Sequence, residues 1–208
     1  MNLMLFSRLY NYRCISKGGK ALKETDLIRK VQEGDLQAFE QLFKLYKYKA
    51  LRTVYLMTGN QVISEDIVQE AFVTCYRSIK NLRNPEHFNT WFFKLLTRMT
   101  WKYMKKEKQL IPTEDIIERV ENNSKESWLM ALKQEDSSNT LYEEILKLES
   151  KLQTTIILYY YNCFSVKEIA RIMGCLEGTV KSRLYTGRNK LKINLMEQKS
   201  LIVPKEVL

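Results

Sequence analysis

Apolar residues recur at every third or fourth position between residues 36 and 57, and this periodicity constrains the fold more than any other feature of the chain. The apolar positions are Leu36, Phe39, Leu42, Phe43, Tyr46, Ala50, Val54 and Met57. Such spacing places side chains on one face of an α-helix. Asp35 is suited to cap the start of this helix and Gly59 to end it. Because 208 residues include only 7 Gly and 3 Pro, we expect an all-α protein rather than a turn-rich β fold.

Three further helices are predicted nearby. One precedes Gly34, one is capped by Ser64, and one runs from His87 to Lys106 after a loop that contains Pro85. Four helices in about eighty residues can form a bundle that buries its own core.

Charge divides the chain into blocks within a total of +10. Residues 1–23 carry five basic and no acidic side chains, and residues 24–106 carry fourteen basic and nine acidic ones. Residues 107–140 are acidic, with four basic and eight acidic side chains, whereas residues 141–208 have eleven basic and seven acidic ones. The basic excess favours a polyanionic partner, either nucleic acid or an anionic membrane surface.

These blocks predict two small helical domains joined by a flexible acidic linker. The first domain spans residues 24–106, the linker 107–139 and the second domain 140–196. A flexible basic arm, residues 1–23, precedes them, and a tail, residues 197–208, follows.

Cysteine and histidine usage argues against an enzyme, a metal site and a cofactor. Cys14, Cys75, Cys163 and Cys175 form no C-x-x-C pair, and His87 is the single histidine. The chain has no Walker loop and no G-x-G-x-x-G motif. Cys75 and Cys163 have apolar neighbours, so we expect buried thiols in a reducing cytosol. With no export signal or membrane span in the sequence, we expect a cytoplasmic protein.

The sharpest local pattern lies near the end of the second domain. Ser165 and Glu168 have the spacing of a capping box, and Gly174 can provide the left-handed residue of a tight turn. A second helix opens at Glu177, and small or β-branched residues at Ala170 and in the following helix match a helix-turn-helix. The alternative is a generic helical hairpin with a solvated basic face.

The second helix of this pair carries donors suited to base edges and phosphates. These are Lys181, Ser182, Arg183, Tyr185, Thr186, Arg188, Asn189 and Lys190.

Two other patterns have a structural and a functional interpretation. The helix from His87 to Lys106 interleaves aromatic and cationic residues, which suits single-stranded nucleic acid, but most of its aromatic side chains have the spacing of core residues. Trp101 and Tyr103 are the aromatic candidates for DNA contact. Asp66 and Glu70 lie four residues apart, which fits a solvated helix face or an interaction patch, and physical reasoning leaves both open.

Three segments together resemble the extracytoplasmic-function (ECF) sigma factors of the sigma-70 family, the promoter-specificity subunits of bacterial RNA polymerase. Residues 66–72, DIVQEAF, are similar to the family's region-2 signature, and residues 88–96, FNTWFFKLL, are similar to its F-x-x-W-L-x-x-I-A stretch. Residues 165–184 are similar to its region-4 signature. The resemblance covers about residues 25–106 and 140–196.

The resemblance implies a sigma factor that binds core RNA polymerase, through its β′ and β subunits, and promoter DNA to start transcription. The helix with Asp66, Gln69 and Glu70 would dock on the β′ coiled coil. Residues implied at the minus-ten element are Arg83, His87, Arg98, Trp101, Lys102, Tyr103, Lys105 and Lys106. Residues implied at the minus-thirty-five element are Thr179, Lys181, Ser182, Arg183, Tyr185, Thr186 and Arg188.

Departures from the family pattern bear on promoter sequence. Arg98 and Lys102 stand where relatives often have Asn and Asp, and Thr186 and Gly187 replace a common Arg-Ala pair. Many relatives have an anti-sigma partner, which is expected here as well, and one at the membrane would hold the protein at the membrane's inner face. The alternative function is a stand-alone helix-turn-helix regulator acting as a dimer, in which residues 66–72 would have no reason to match a polymerase-binding helix.

Overall fold

The computed structural model describes residues 20–110 and 136–202, and the side chains of residues 24–107 and 141–196. All regular elements in these ranges are helical, as the sequence predicts. The α-helices are α1 (Lys20–Glu33), α2 (Leu36–Thr58), α3 (Gln61–Ser78), α4 (Phe88–Leu110), α5 (Asp136–Leu146), α6 (Ser150–Ile156), α7 (Val166–Met173) and α8 (Glu177–Ile202). Short 3-10 turns occupy Ile79–Asn81 and Pro85–His87, and α6 continues into a π-helical turn at Ile157–Tyr161.

Parts of the predicted arm, linker and tail lie outside the described residues, namely 1–19, 111–135 and 203–208. Helix α1 begins at Lys20, within the segment predicted as an arm. In the described residues, no helix is both long and apolar enough to cross a membrane.

Helix α2 has the predicted boundaries. The Asp35 carboxylate accepts hydrogen bonds from the backbone N–H groups of Gln37 and Ala38, at 2.8 and 3.0 Å. At the other end, Gly59 adopts φ +72° and its N–H donates to the Tyr55 carbonyl. Both caps satisfy backbone groups that have no partner within the helix.

The start of α3 differs from the prediction. The N-cap is Asn60, whose side-chain oxygen accepts from the Ile63 N–H at 3.1 Å. Ser64, the predicted cap, is buried inside the helix, where its hydroxyl donates to the Asn60 carbonyl. Asn60 has extended backbone angles that aim its side chain at the first turn, which is the geometry that a cap requires.

Aromatic rings fill the centre of the first bundle. Phe92 of α4 packs against Phe72 of α3 with ring centroids 4.9 Å apart, and against Tyr46 of α2 at 5.7 Å. The Tyr46 hydroxyl donates to the Glu24 carboxylate, which ties α1 to α2. Cys75 is fully buried as predicted, and burial raises the pKa of its thiol to about 12.

A buried carboxylate joins helices of the second unit. Glu144 of α5 is almost fully buried, and it accepts hydrogen bonds from Lys147 at 2.7 Å and from the Asn194 amide of α8 at 2.6 Å. The bond to Glu144 raises the pKa of the Lys147 ammonium. A buried carboxylate requires such partners because desolvation otherwise disfavours its charge.

The two helical units contact each other directly. Phe93 of α4 and Phe164, which precedes α7, are buried with ring centroids 5.1 Å apart. Helices α2 and α4 of the first unit lie against α6, the π-helical turn and α7 of the second. The buried side chains of both units therefore form a contiguous hydrophobic core.

Candidate nucleic-acid interface and partner surface

Helices α7 and α8 form the predicted helix-turn-helix. The Ser165 hydroxyl accepts from the Glu168 N–H, and the Glu168 carboxylate accepts from the Ser165 N–H at 2.8 Å, which completes the capping box. Gly174 has φ +63° and ends α7, and its N–H donates to the Ala170 carbonyl. Residues 175 and 176 follow, and α8 starts at Glu177. The turn is thus short and held by local hydrogen bonds.

Helix α8 has one buried and one exposed face. Val180, Leu184 and Leu191 are buried against the rest of the second unit. On the opposite side the side chains of Lys181, Ser182, Tyr185 and Thr186 are exposed, with Tyr185 at 68% of its maximal area. This exposed face is long enough to present donors and one aromatic ring to a groove of duplex DNA.

The three remaining residues of the predicted minus-thirty-five set are half-buried. Arg188 donates from Nε to the Tyr160 hydroxyl at 2.6 Å, and its guanidinium lies 5.6 Å from the ring centroid. Arg183 donates to the Cys175 sulfur at 3.7 Å. Thr179 is half-buried near the start of the helix. Both arginine side chains therefore contact residues that precede α8 in the chain instead of extending freely from the helix.

Gly187 explains one departure from the family pattern. An ideal Cβ added at this position would lie 3.0 and 3.1 Å from Cγ1 and Cδ1 of Ile156. Glycine allows α8 to cross α6 closely, which a larger residue would oppose.

The predicted minus-ten residues form a largely exposed surface on α4 and the turn before it. Exposed members are Arg83, His87, Arg98, Lys102, Tyr103, Lys105 and Lys106. Trp101 differs from them, because it is half-buried and its indole N–H donates to the Thr154 hydroxyl of α6 at 3.1 Å. The second unit thus holds the side chain of Trp101, whereas Tyr103 is exposed.

Asp66, Gln69 and Glu70 lie together on the exposed side of α3, while the intervening Ile67 and Val68 are buried. We call these three exposed residues the α3 acidic face. Two carboxylates one helical turn apart suit a basic or amide-rich partner surface.

An apolar groove, which helical periodicity alone does not predict, adjoins this face. The groove has a volume of about 850 Å³ and lies between α2 and α3. Phe39, Phe43, Phe72 and Tyr76 provide its aromatic walls, and Gln69 lies at its edge. Leu36 of α2 and Val73 of α3 are apolar but exposed, and such exposed apolar side chains were the signal that could have revealed the groove.

Buried polar contacts, whose residues no sequence motif predicts, join the two units. The Asn162 amide donates to the Thr53 hydroxyl at 2.7 Å. The Gln153 amide donates to the carbonyls of Leu56 and Met57, at 3.2 and 3.3 Å, near the end of α2. We call these contacts, with the aromatic and cationic ones described next, the inter-unit seam.

Cations of α2 also contribute to the inter-unit seam. The Lys49 ammonium lies 4.9 Å from the ring centroids of both Phe93 and Phe164. The Arg52 guanidinium lies 4.9 Å from the centroid of the Tyr161 ring. Burial raises the pKa of Tyr161 to about 12, an effect that the Arg52 charge opposes. A cation over an aromatic face is attracted by the ring quadrupole, so these pairs favour contact between the units.

Cys163 corrects one prediction. It was expected to be a buried thiol, but it is half-buried and disulfide-bonded, whereas Cys75 and Cys175 are free. Its apolar neighbours predict burial, yet residue 163 lies after the π-helical turn and is half-buried, although the flanking Asn162 and Phe164 are buried. Among the described residues, no group of three or more His, Cys, Asp or Glu side chains could hold a metal ion.

Comparison with known families identifies both helical units. The family model described as "Sigma-70 region 2" matches residues 42–109, and "Sigma-70, region 4" matches residues 138–191. The ECF RNA polymerase sigma factor SigW of Bacillus subtilis is 33% identical over 178 residues, which cover 82% of this chain and 95% of that protein. The chain belongs to the sigma-70 family, as an RNA polymerase sigma factor of the ECF type.

Other relatives of this sigma factor agree. The ECF RNA polymerase sigma-E factor of Escherichia coli K12 is 30% identical over 182 residues, covering 82% of this chain and 93% of that protein. Among solved structures, CnrH in complex with the cytosolic domain of CnrY has a TM-score of 0.63 at 17% identity, covering 84% of this chain and 97% of that one. The Bartonella quintana sigma factor RpoE, solved with the anti-sigma factor NepR, has a TM-score of 0.62 at 20% identity, with 77% of this chain and 98% of that one covered. At such identities the two structures support the fold of this sigma factor.

Proposed function

We propose that this sigma factor binds core RNA polymerase through α3 and directs it to promoters that α8 and α4 recognise. The observation that carries the proposal is the two-sided character of α8, which buries Val180 and Leu191 and exposes Lys181 and Tyr185. A helix of this kind, following a short capped turn, is suited to enter a major groove.

Recognition of the minus-thirty-five element is assigned to the exposed face of α8. Lys181 and Ser182 can donate to base edges, and Tyr185 and Thr186 extend the face by one turn. The side chains of Arg183 and Arg188 extend less far from the protein than this exposed face, because they bond to Cys175 and Tyr160. We assign both arginines to phosphate contacts. Thr179, near the N-terminus of the helix, is also assigned to a phosphate contact.

Recognition of the minus-ten element is assigned to α4 and the turn before it. Arg98, Lys102, Lys105 and Lys106 supply cations along the helix, and Tyr103 offers an exposed ring for stacking on an unpaired base. Arg83 and His87 extend this surface through the turn.

Full use of this surface requires the two units to separate. The Trp101 indole N–H donates to the Thr154 hydroxyl across the inter-unit seam, so its ring is only half-exposed while this contact holds. Opening the inter-unit seam would expose the Trp101 ring and free α8 to reach a separate promoter element. Binding to core polymerase and to DNA would supply the free energy for this change.

Core RNA polymerase, with its β′ and β subunits, is the partner in this proposal, and its β′ subunit docks on the α3 acidic face. The groove beside Gln69 would accept apolar side chains from the docked partner. The α3 acidic face is exposed and the groove beside it lies between α2 and α3, away from the inter-unit seam, so docking can precede opening of that seam.

An anti-sigma partner and a cytoplasmic location complete the proposal. The sigma factor RpoE of Bartonella quintana, which has this fold, was solved in complex with the anti-sigma factor NepR, and this supports a partner of that kind. A protein that holds the two units together would keep Trp101 covered and the sigma factor inactive. A partner anchored in the membrane would keep the sigma factor at the membrane's inner face.

The stand-alone regulator is not favoured, because the first unit matches the Sigma-70 region 2 model and the likeness to SigW extends over both units. Run-off transcription tests the choice, with purified bacterial core polymerase and genomic fragments that include the region upstream of this gene. Discrete transcripts that require both proteins are expected. Specific duplex binding by the chain alone, without transcripts, would instead support the regulator.

A further inference from the structure

Gln32 connects α1 to the turn that joins α3 to α4. Its side-chain amide nitrogen donates to the carbonyl of Ile79 at 3.0 Å and to the carbonyl of Leu82 at 2.8 Å. Because carbonyls only accept hydrogen bonds, the nitrogen of the amide must face them, and each of its two hydrogens has one acceptor. One side chain of α1 therefore holds the backbone of the turn at two points.

These two carbonyls belong to the part of the turn that packs on the core. Ile79 and Leu82 are buried, and the Leu82 N–H donates to the Ile79 carbonyl at 3.0 Å around the first 3-10 turn. The Ile79 carbonyl lies at the end of α3, where carbonyls have no partner within the helix. Gln32 supplies the missing donors from a different helix.

The candidate DNA residues of the turn follow these fixed points. The side chains of Arg83 and His87 are exposed, and Arg83 comes directly after Leu82. The His87 N–H donates to the Asn84 carbonyl at 3.0 Å, which links His87 to the same segment. Because a peptide unit is planar, a hydrogen bond that fixes the Leu82 carbonyl also fixes the direction in which the chain enters residue 83.

Helix α1 is itself packed on the first bundle. Its residues Ile28 and Val31 are buried, and the Tyr46 hydroxyl of α2 donates to the Glu24 carboxylate of α1. Helix α1 also lies against both 3-10 turns. Gln32 is half-buried beside Val31, so its amide is presented to the turn by a helix that the core holds in place.

We propose that Gln32 is a positioning residue for the minus-ten element, which sets the base preference of the turn by holding the backbone that carries Arg83 and His87. Gln32 contacts no DNA in this role, and it lies outside residues 42–109, which match the region 2 model. The inference rests on the proposed function of the turn in minus-ten recognition. Without the two hydrogen bonds the turn would sample more conformations, and it would distinguish correct from incorrect bases less well.

The first measurement asks whether Gln32 holds the turn. Gln32→Met keeps the length of the side chain and removes both donors. Hydrogen exchange of the full chain, followed by NMR, should show exchange of the Leu82 and His87 amides accelerated by about three- to tenfold. Gln37→Met, the same substitution at an exposed position of α2, is the matched control and should leave both rates unchanged. Unchanged exchange in Gln32→Met would overturn the proposal.

The second measurement asks whether base preference depends on this contact. Run-off transcription by the reconstituted holoenzyme compares a promoter with versions substituted at single positions of the minus-ten and minus-thirty-five elements. Gln32→Met should reduce discrimination at the minus-ten positions that the turn contacts by about three- to tenfold, and leave the ratios at minus-thirty-five positions unchanged. Ser64→Ala removes a different side-chain hydrogen bond to a backbone carbonyl in the same unit, so it controls for stability and should change neither set of ratios.

The outcomes separate a positioning role from a structural one. An equal loss of transcription at every promoter, or the same change in Ser64→Ala, would show that Gln32 acts only on the fold and would overturn the proposal. Faster exchange with unchanged minus-ten ratios would overturn it as well. Absence of transcripts with the wild-type chain would contradict the proposed function and with it the minus-ten role. The exchange result would then still stand, because it needs neither polymerase nor DNA.

Discussion

The amide of Asn162 donates a 2.7 Å hydrogen bond to the hydroxyl of Thr53, 109 positions earlier in the chain, inside the contact between the two helical units. Both residues are buried, and the Thr53 hydroxyl also donates to the Lys49 carbonyl within α2. A pair of this kind favours a specific alignment of two surfaces, because a shifted contact would leave its polar atoms unsatisfied.

Replacing Asn162 by Ala should therefore lower the free energy of unfolding by about 1–2 kcal/mol, through loss of the hydrogen bond and a buried acceptor left without a donor. Urea denaturation followed by circular dichroism measures this. Asn189→Ala, on the exposed side of α8, is the control and should change little. In a cycle with Thr53→Val, the double variant should lose less than the sum of the singles. Additive losses would mean that the two side chains do not stabilise each other.

Reversing both charges of the α3 acidic face, with Asp66→Lys and Glu70→Lys, should abolish binding to core polymerase and leave the helical content intact. Both side chains are exposed, so the fold does not depend on them. Binding is measured by co-elution with core enzyme, and helicity by circular dichroism. Glu33→Lys with Glu149→Lys makes the same charge change at exposed positions elsewhere and should preserve binding. Loss of helicity in the Asp66/Glu70 variant would contradict the docking assignment.

Lys181→Ala should weaken promoter binding by about 1–3 kcal/mol and relax the preference at one base pair of the minus-thirty-five element, if the ammonium donates to a base edge. Titrations of holoenzyme against promoters substituted at single positions measure the effect. Lys30→Ala, which removes an exposed ammonium on α1, is the control and should leave promoter binding unchanged. An equal loss across all promoter sequences would instead identify Lys181 as a phosphate contact.

Gly187→Val should lower the free energy of unfolding by about 1–3 kcal/mol, because the added atoms overlap Ile156 where α8 crosses α6. Gly178→Val is the matched control, since a Cβ at position 178 meets nothing within 4 Å. Thermal unfolding of the two variants should separate them clearly. If the two melt together, the close approach at Gly187 does not limit the size of that residue.

Much of the local structure was predictable because its determinants lie within a few residues of each other. The Asp35 cap and the Ser165–Glu168 capping box were read from spacing, and both are present. Ser64 was misassigned since Asn60, four residues earlier, is equally suited to cap a helix, and the backbone angles favour Asn60. The exposure of Asp66, Gln69 and Glu70 agrees with the solvated face that helical periodicity implied.

Thus the sequence by itself determined the helices, their caps, the helix-turn-helix and the family, through periodic apolar faces and short motifs. The tertiary structure alone decided that the two units meet, that Trp101 donates to Thr154, that Arg188 folds back onto Tyr160, and that Cys163 is not a simple buried thiol. The physical reason is the separation along the chain between the residues that interact. A cap or a helical face depends on residues one turn apart, whereas contacts such as that of Gln153 with Leu56 depend on how whole surfaces fit across 97 positions of the chain.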